Sequence, residues 1–200
     1  MKFLSLLLVT MVADVCLRVS AQGFVYDQQS ATSDTGGNSI TATIQSNQPI
    51  GQSFIPSLST VGFVRFFLFD AVYPNPLGAT VLINLWSGSI GGGTLMASTD
   101  PVLLTPGFDG YTNFYFGDGV SVNSGTTYYF ELVVQSGDTT RTGINSALPG
   151  YANGTAFFNG TASPSEDLWF REGVVVPEPS SILLSMLGLA GIYFHRRKSQ

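Results

Sequence analysis

An all-β sandwich is the fold predicted for the body of this 200-residue chain, and three observations predict it. Short segments in which apolar and polar residues alternate follow one another from residue 24 to residue 171. Glycine and proline, 23 and 10 residues, fall largely between those segments and mark turns. No stretch before residue 180 shows the 3.6-residue apolar period of an amphipathic helix. Residues 22–173 suffice for one domain with its own core.

The first 21 residues read as an export signal. Lys2 precedes an apolar run over residues 3–13, and Val19-Ser20-Ala21 offers the small side chains that a signal peptidase requires. Asp14 and Arg18 interrupt the later part of the segment. Cys16 is the only cysteine; Ala13-Asp14-Val15 before it lack the small residue that precedes a lipidated cysteine, so lipidation is not expected. A cleaved signal peptide over 1–21 leaves an exported domain without a disulfide, held by its core or by bound ions.

The strands follow in order. Residues 24–26 form a short first strand, and the polar stretch 28–38 is a loop. Residues 39–45 set Ile40, Ala42 and Ile44 against Ser39, Thr41 and Thr43, a period of two. Residues 50–55 and 61–70 come next; the second is apolar on both faces apart from Arg65, which predicts a central strand covered on both sides. Pro74 and Pro76 make residues 73–78 a turn. Residues 79–86 and 94–98 are strands joined by the glycine-rich segment 87–93. That segment lacks the Lys and following helix of a phosphate-binding loop, so it is read as a connector. Further strands are expected at 102–105, 111–116, 120–122, 126–135, 155–158 and 168–171. In 126–135, Tyr128, Phe130, Leu132 and Val134 share the face assigned to the core. Asn153-Gly154-Thr155 and Asn159-Gly160-Thr161 match the glycosylation pattern and are read as turns.

Residues 174–200 are a different kind of segment. Pro177 and Pro179 restrict φ and hold Val176-Pro177-Glu178-Pro179 extended, the shape a processing enzyme needs. Residues 180–194 carry no charge; as a helix they are about 22 Å long. A bilayer core is roughly 30 Å, so a transmembrane helix here relies on local thinning or on snorkelling of the terminal cations. After His195, the cluster Arg196, Arg197 and Lys198 holds that end in the cytoplasm by the positive-inside rule.

These residues closely resemble the PEP-CTERM sorting signal of Gram-negative bacteria: a Pro-Glu-Pro motif, a transmembrane helix and a basic end. The resemblance covers about the last 25 residues. It implies that Val176, Pro177, Glu178 and Pro179 are recognised by an exosortase, that the precursor sits in the inner membrane, and that the product reaches the cell surface, usually in organisms that make exopolysaccharide. The body is similar, more weakly, to the exported parts of other PEP-CTERM proteins, through Gly51-Gln52-Ser53-Phe54, the run 125–134, the run 153–160 and Asp167-Leu168-Trp169-Phe170-Arg171. That likeness implies a jelly-roll-like β-sandwich of the carbohydrate-binding-module type.

Composition narrows the chemistry. Between residues 22 and 176 stand eleven acids and three arginines, Arg65, Arg141 and Arg171, so nucleic acid would be repelled. The only histidine, His195, lies in the tail, and the body has neither Cys nor Lys. Histidine bases, thiol nucleophiles, Schiff-base lysines and the usual zinc ligand sets are therefore absent from it. Carboxylate chemistry survives, with Glu131, Glu166, Asp167 and Glu172 as candidates, yet no spacing pairs any two of them and they read as solubilising charge. The expectation is a non-enzymatic protein with no catalytic residue. Calcium is the one conceivable cofactor, through Asp27 with Asp167 if the terminal strands pair, or through Asp109, Asp118 and Asn123. Tyr111, Tyr115 and Trp86 are the candidate platform for stacking sugars, the two tyrosines foremost because they share a strand face.

Overall fold

The computed structural model describes residues 22–30, 41–71, 77–137, 142–147 and 150–177. The expected signal peptide (1–21), the helix at 180–194, and Glu178, Pro179, Arg196, Arg197 and Lys198 lie outside them. Among the described residues no helix is long and apolar enough to cross a membrane. The chain divides into two compact units: Val25–Val174, and the two chain ends Met1–Phe24 with Val175–Gln200. In the second unit residues 22–24 and 175–177 are described, all in extended strand.

Regular structure among the described residues is almost entirely strand. In chain order they are β1 (Gln22–Gln29), β2 (Thr41–Thr43), β3 (Ile50–Phe54), β4 (Thr60–Asp70), β5 (Ala79–Ser87), β6 (Thr94–Ser98), β7 (Val102–Leu104), β8 (Asp109–Ser121), β9 (Tyr128–Gly137), β10 (Thr142–Ala147), β11 (Ala156–Phe158), β12 (Thr161–Ser163), β13 (Asp167–Leu168) and β14 (Phe170–Pro177). A single 3-10 turn, Gln45–Asn47, interrupts them. One seven-stranded sheet runs β1-β14-β4-β10-β13, with β2 beside β10 and β8 along the other edge of β4. The second runs β12-β11-β3-β9-β5-β6, with β7 also on β5.

Alternation along these strands builds the core between the sheets. From the first sheet come Val64, Phe66, Leu68, Phe114, Ile144 and Phe170; from the second come Ile50, Phe54, Ile83, Leu85, Phe130 and Leu132, all fully buried. Phe130 joins the layers. Its ring stacks on Phe54 at 4.2 Å and meets Phe66, Phe116 and Phe170 at 6.3–6.4 Å, the last three from the opposite sheet. Tyr128, Phe130 and Leu132 do point inward, as their spacing predicts, whereas Tyr129 and Glu131 are half-buried on the outer face. The central position expected for β4 also holds: β8 pairs along one edge, β14 and β10 along the other, and Val61 to Val64 are buried on both faces.

Three features differ from the sequence reading. Segments 111–116 and 120–122 are one strand, β8, because Gly117 and Gly119 take positive φ (55° and 91°) and absorb an irregularity in register opposite Val61 and Phe63. Strand β10 has no counterpart in the expected set, since Ile144 is its only large apolar residue; that side chain is fully buried, and β10 pairs with β2, β4 and β13. The stretch between the strands expected at 155–158 and 168–171 contains a further strand, β12, which folds back on β11 across Asn159-Gly160, both at positive φ as a tight hairpin requires.

Buried polar groups tie the sheets together. Asp167, from β13 in the first sheet, accepts from Gln52 Nε2 of β3 in the second at 2.6 Å and from the Tyr151 backbone N–H at 2.7 Å. Gln52 Oε1 in turn accepts from the Leu168 N–H at 2.8 Å. Asp167 is 5% exposed, so it is a structural fastener and not the solubilising charge the sequence suggests.

Candidate functional site

Two places carry chemistry beyond packing: the outer face of the first sheet and the tail that β14 leads into. On the outer face, register sets Arg171 of β14, Arg65 of β4 and Asn113 of β8 in one row across three strands. The next rows place Phe63 opposite Tyr115 and Phe67 opposite Tyr111. Period-two alternation makes this outward set inevitable once Val64, Phe66 and Phe114 face the core.

The rings and arginines interlock. Tyr26 of β1 packs against both guanidinium groups, 5.7 Å from Arg65 and 5.4 Å from Arg171, and meets Phe63 edge-on at 5.8 Å. Arg171 also covers Trp169 at 5.1 Å. Tyr111 packs between Phe67 at 5.0 Å and Trp169 at 4.6 Å. Arg65 Nε donates to Asn113 Oδ1 at 2.6 Å, and Asn113 Nδ2 donates to the Tyr115 hydroxyl at 3.3 Å. Trp169 and Arg171 are buried, while Tyr26 and Tyr115 are 36% and 39% exposed. The face is thus a rigid aromatic floor from which two tyrosine rings emerge.

Trp86 is elsewhere. It lies on β5 in the other sheet, where Nε1 donates to Glu131 Oε2 at 2.7 Å and Asn84 donates to the same oxygen at 3.1 Å. Tyr111 and Tyr115 therefore share a face, and Trp86 does not join them. The remaining carboxylates are also dispersed: Glu131 holds Trp86 and Asn84, Glu166 accepts from Ser163 at 2.7 Å, and Asp167 fastens the sheets. Asp109 begins β8 and Asp118 lies near its far end, so they form no local cluster. No group of three or more His, Cys, Asp or Glu that could hold a metal occurs among the described residues.

Sequence reasoning missed a close pair of carboxyls, Asp27 and Glu172. Glu172 is not exposed charge; it is fully buried on the core face of β14, opposite Val64. Burial first, and then the neighbouring Asp27 carboxylate, push its pKa up to about 9. For Asp27 burial works upward too, but the Leu58 N–H, the Ser57 hydroxyl and N–H, and Gln28 outweigh it and bring its pKa below the usual value. The signal was present in the period of two, which places Glu172 in phase with Phe170.

Strand β14 ends on Pro177, so the extended backbone of the last strand runs without a linker into the expected recognition tetrapeptide. A search of curated proteins gives no match. Among solved structures, the chain is similar to the clostridial cysteine protease Cwp84 after propeptide cleavage, with a TM-score of 0.46 and 10% identity over 71% of this chain and 38% of that one. It is also similar to the cysteine protease and lectin-like domains of Cwp84, a surface layer associated protein of Clostridium difficile, with a TM-score of 0.41 and 12% identity over 64% of this chain and 32% of that one. The chain thus spans about a third of the length of those proteins. Residues 175–198 match the PEP-CTERM protein-sorting motif. The chain carries a PEP-CTERM sorting motif, which implies an exported surface protein sorted by an exosortase.

Proposed function

We propose that this chain is a non-enzymatic display protein, released at the cell surface or into the extracellular matrix, whose sandwich associates with exopolysaccharide. One observation carries the polysaccharide reading: the outer face of the first sheet presents Tyr26 and Tyr115 as exposed rings on a fixed aromatic floor. Rings held in this way offer apolar faces to sugars at little cost in side-chain order. Trp86 is the weaker platform because its N–H is already committed to Glu131. In this reading Val176, Pro177, Glu178 and Pro179 are what the exosortase recognises, the run 180–194 anchors the precursor, and Arg196, Arg197 and Lys198 hold its end in the cytoplasm.

The strand order supports a jelly-roll sandwich. Take β1, β3, β4, β5, β6, β8, β9 and β14 as the principal strands in chain order. The first, eighth, third and sixth adjoin in one sheet, and the second, seventh, fourth and fifth in the other. Dispersal of Glu131, Glu166 and Asp167, each with its own hydrogen-bond partner, supports a body without catalysis. Glycosidic hydrolysis needs two carboxyls about 5–10 Å apart across a substrate cleft, and in the close pair among the described residues, Asp27 with Glu172, the second member is sealed in the core.

The test is retention of the full chain on exopolysaccharide from a PEP-CTERM-bearing producer, measured for wild type, Tyr26→Ala/Tyr115→Ala and Trp86→Ala. Loss of roughly 1 kcal/mol per ring predicts about thirtyfold weaker retention for the double variant and little change for Trp86→Ala. No retention of the wild type contradicts the polysaccharide reading, and equal weakening by Trp86→Ala moves the site to the other sheet.

A further inference from the structure

Glu131 of β9 is half-buried on the outer face of the second sheet, with aromatic side chains on its own strand and to either side. Register puts Asn84 of β5 directly opposite Glu131 and sets Trp86 opposite Tyr129 in the next outward row. Across the other edge of β9, Gly51 of β3 stands between Glu131 and Phe157 of β11, whose ring meets Tyr129 edge-on at 5.5 Å. Trp86 Nε1 and Asn84 Nδ2 both donate to Glu131 Oε2, at 2.7 and 3.1 Å, so the carboxylate is fixed in direction. Among the described residues nothing donates to its Oε1, and the cations, Arg65 and Arg171, lie on strands of the other sheet. An anchored carboxylate with one open oxygen and rings on both flanks is complementary to an organic ammonium group, whose N–H donors meet the oxygen and whose CH groups meet the rings. We propose that Glu131, Trp86, Tyr129 and Phe157 bind an amino sugar with a free amine, at a site separate from the tyrosine face of the first sheet.

The surroundings favour a sugar over other ammonium compounds. Asn84 Oδ1 accepts from the exposed Ser98 hydroxyl at 2.6 Å, which places an amide and a hydroxyl beside the carboxylate. Sugar hydroxyls use such groups, and the alkyl stem of a lysine does not. A quaternary ammonium has no N–H to give Oε1. The glycine-rich segment 87–93 forms one wall. Ile90 is buried because it packs over Gly51, where a Cβ would meet its Cδ1 at 2.6 Å. Gly91 rests on Pro49, and a Cβ there would stand 3.8 Å from Glu131 Oε1, so the absence of a side chain keeps that oxygen clear. The segment read as a connector is thus also part of the site. The eleven acids and three arginines of the body add a general attraction for cations. None of this rests on the exopolysaccharide reading, since neither Tyr26 nor Tyr115 takes part.

The test titrates the full chain in detergent with diglucosamine, its N-acetylated counterpart or dilysine, by calorimetry at about 0.15 M salt, which screens the general acidity of the body. Diglucosamine should bind, and the acetylated sugar, which has lost the charge, should bind about tenfold more weakly or worse. Dilysine, of equal charge, should also be weaker. Glu131→Gln keeps an acceptor for Trp86 Nε1 and the Asn84 amide, so it should fold as wild type and weaken diglucosamine roughly ten- to a hundredfold. Tyr129→Ala should weaken it severalfold. Tyr26→Ala/Tyr115→Ala should leave it unchanged, which separates failure of this site from failure of the exopolysaccharide reading. The site is overturned by no binding of diglucosamine, by equal binding of the acetylated sugar or of dilysine, or by wild-type affinity in Glu131→Gln. If that variant does not fold, Tyr129→Ala decides: unchanged affinity overturns the proposal.

Discussion

Phe130 shows how much of the sandwich rests on single side chains. Its ring stacks on Phe54 in its own sheet and meets Phe66, Phe116 and Phe170 across the gap, so truncation empties the centre of the core. Phe130→Ala should cost about 3–5 kcal/mol, read from the shift of a urea midpoint at constant slope. Glu172 gives a prediction of a different kind. Its pKa is raised in the folded protein from 4.5 to about 9, so the native state holds a proton that the unfolded state releases. Its contribution is complete below about pH 4.5 and is lost as pH rises toward 9, by up to about 1.4 kcal/mol per unit. Urea unfolding in EDTA at pH 5, 7 and 9 should show this decline, and Glu172→Gln should flatten it. Phe130 was legible in the sequence because it alternates with Tyr128 and Leu132. Glu172 was legible only in phase: charge suggested solvent, and the burial that overrides charge comes from β1 and β4, which no local window contains.

Among elements, the strands with strong alternation were readable and those whose identity depends on partners were not. β4 and β9 follow from their own residues. β10 is a strand because β2, β4 and β13 pair with it, although its sequence offers Ile144 alone. β8 looked like two strands because glycine usually ends one; here Gly117 and Gly119 bend a continuous strand instead. The β11–β12 hairpin permits a clean test. A Cβ on Gly160 meets only the Pro49 ring at 3.9 Å, so the cost of Gly160→Ala is that of its positive φ, 71°, alone. It should lose about 1–2 kcal/mol in urea unfolding with no change of fold by circular dichroism. Of the expected aromatic platform, the shared face of Tyr111 and Tyr115 was a consequence of strand period, whereas the separation of Trp86 depends on which sheet β5 joins. Only long-range pairing decides that.

At the scale of the molecule, an acidic β body and a sorting tail divide the work. The body supplies a packed sandwich with an aromatic outer face, and the motif at residues 175–198 supplies the address. β14 belongs to both, since it pairs with β4 through Phe170 to Gly173 and reaches Pro177. The tail was the most legible part of the chain, because its signals are local: proline spacing, an uncharged run and a basic end.

The most direct test of sorting and display is the fate of Glu178→Ala in an exosortase-bearing cell, followed by fractionation and the mass of the product. The account predicts that wild type is trimmed near Pro177 to Pro179 and reaches the surface, while the variant stays uncut in the inner membrane. Normal trimming and surface display of Glu178→Ala would contradict it.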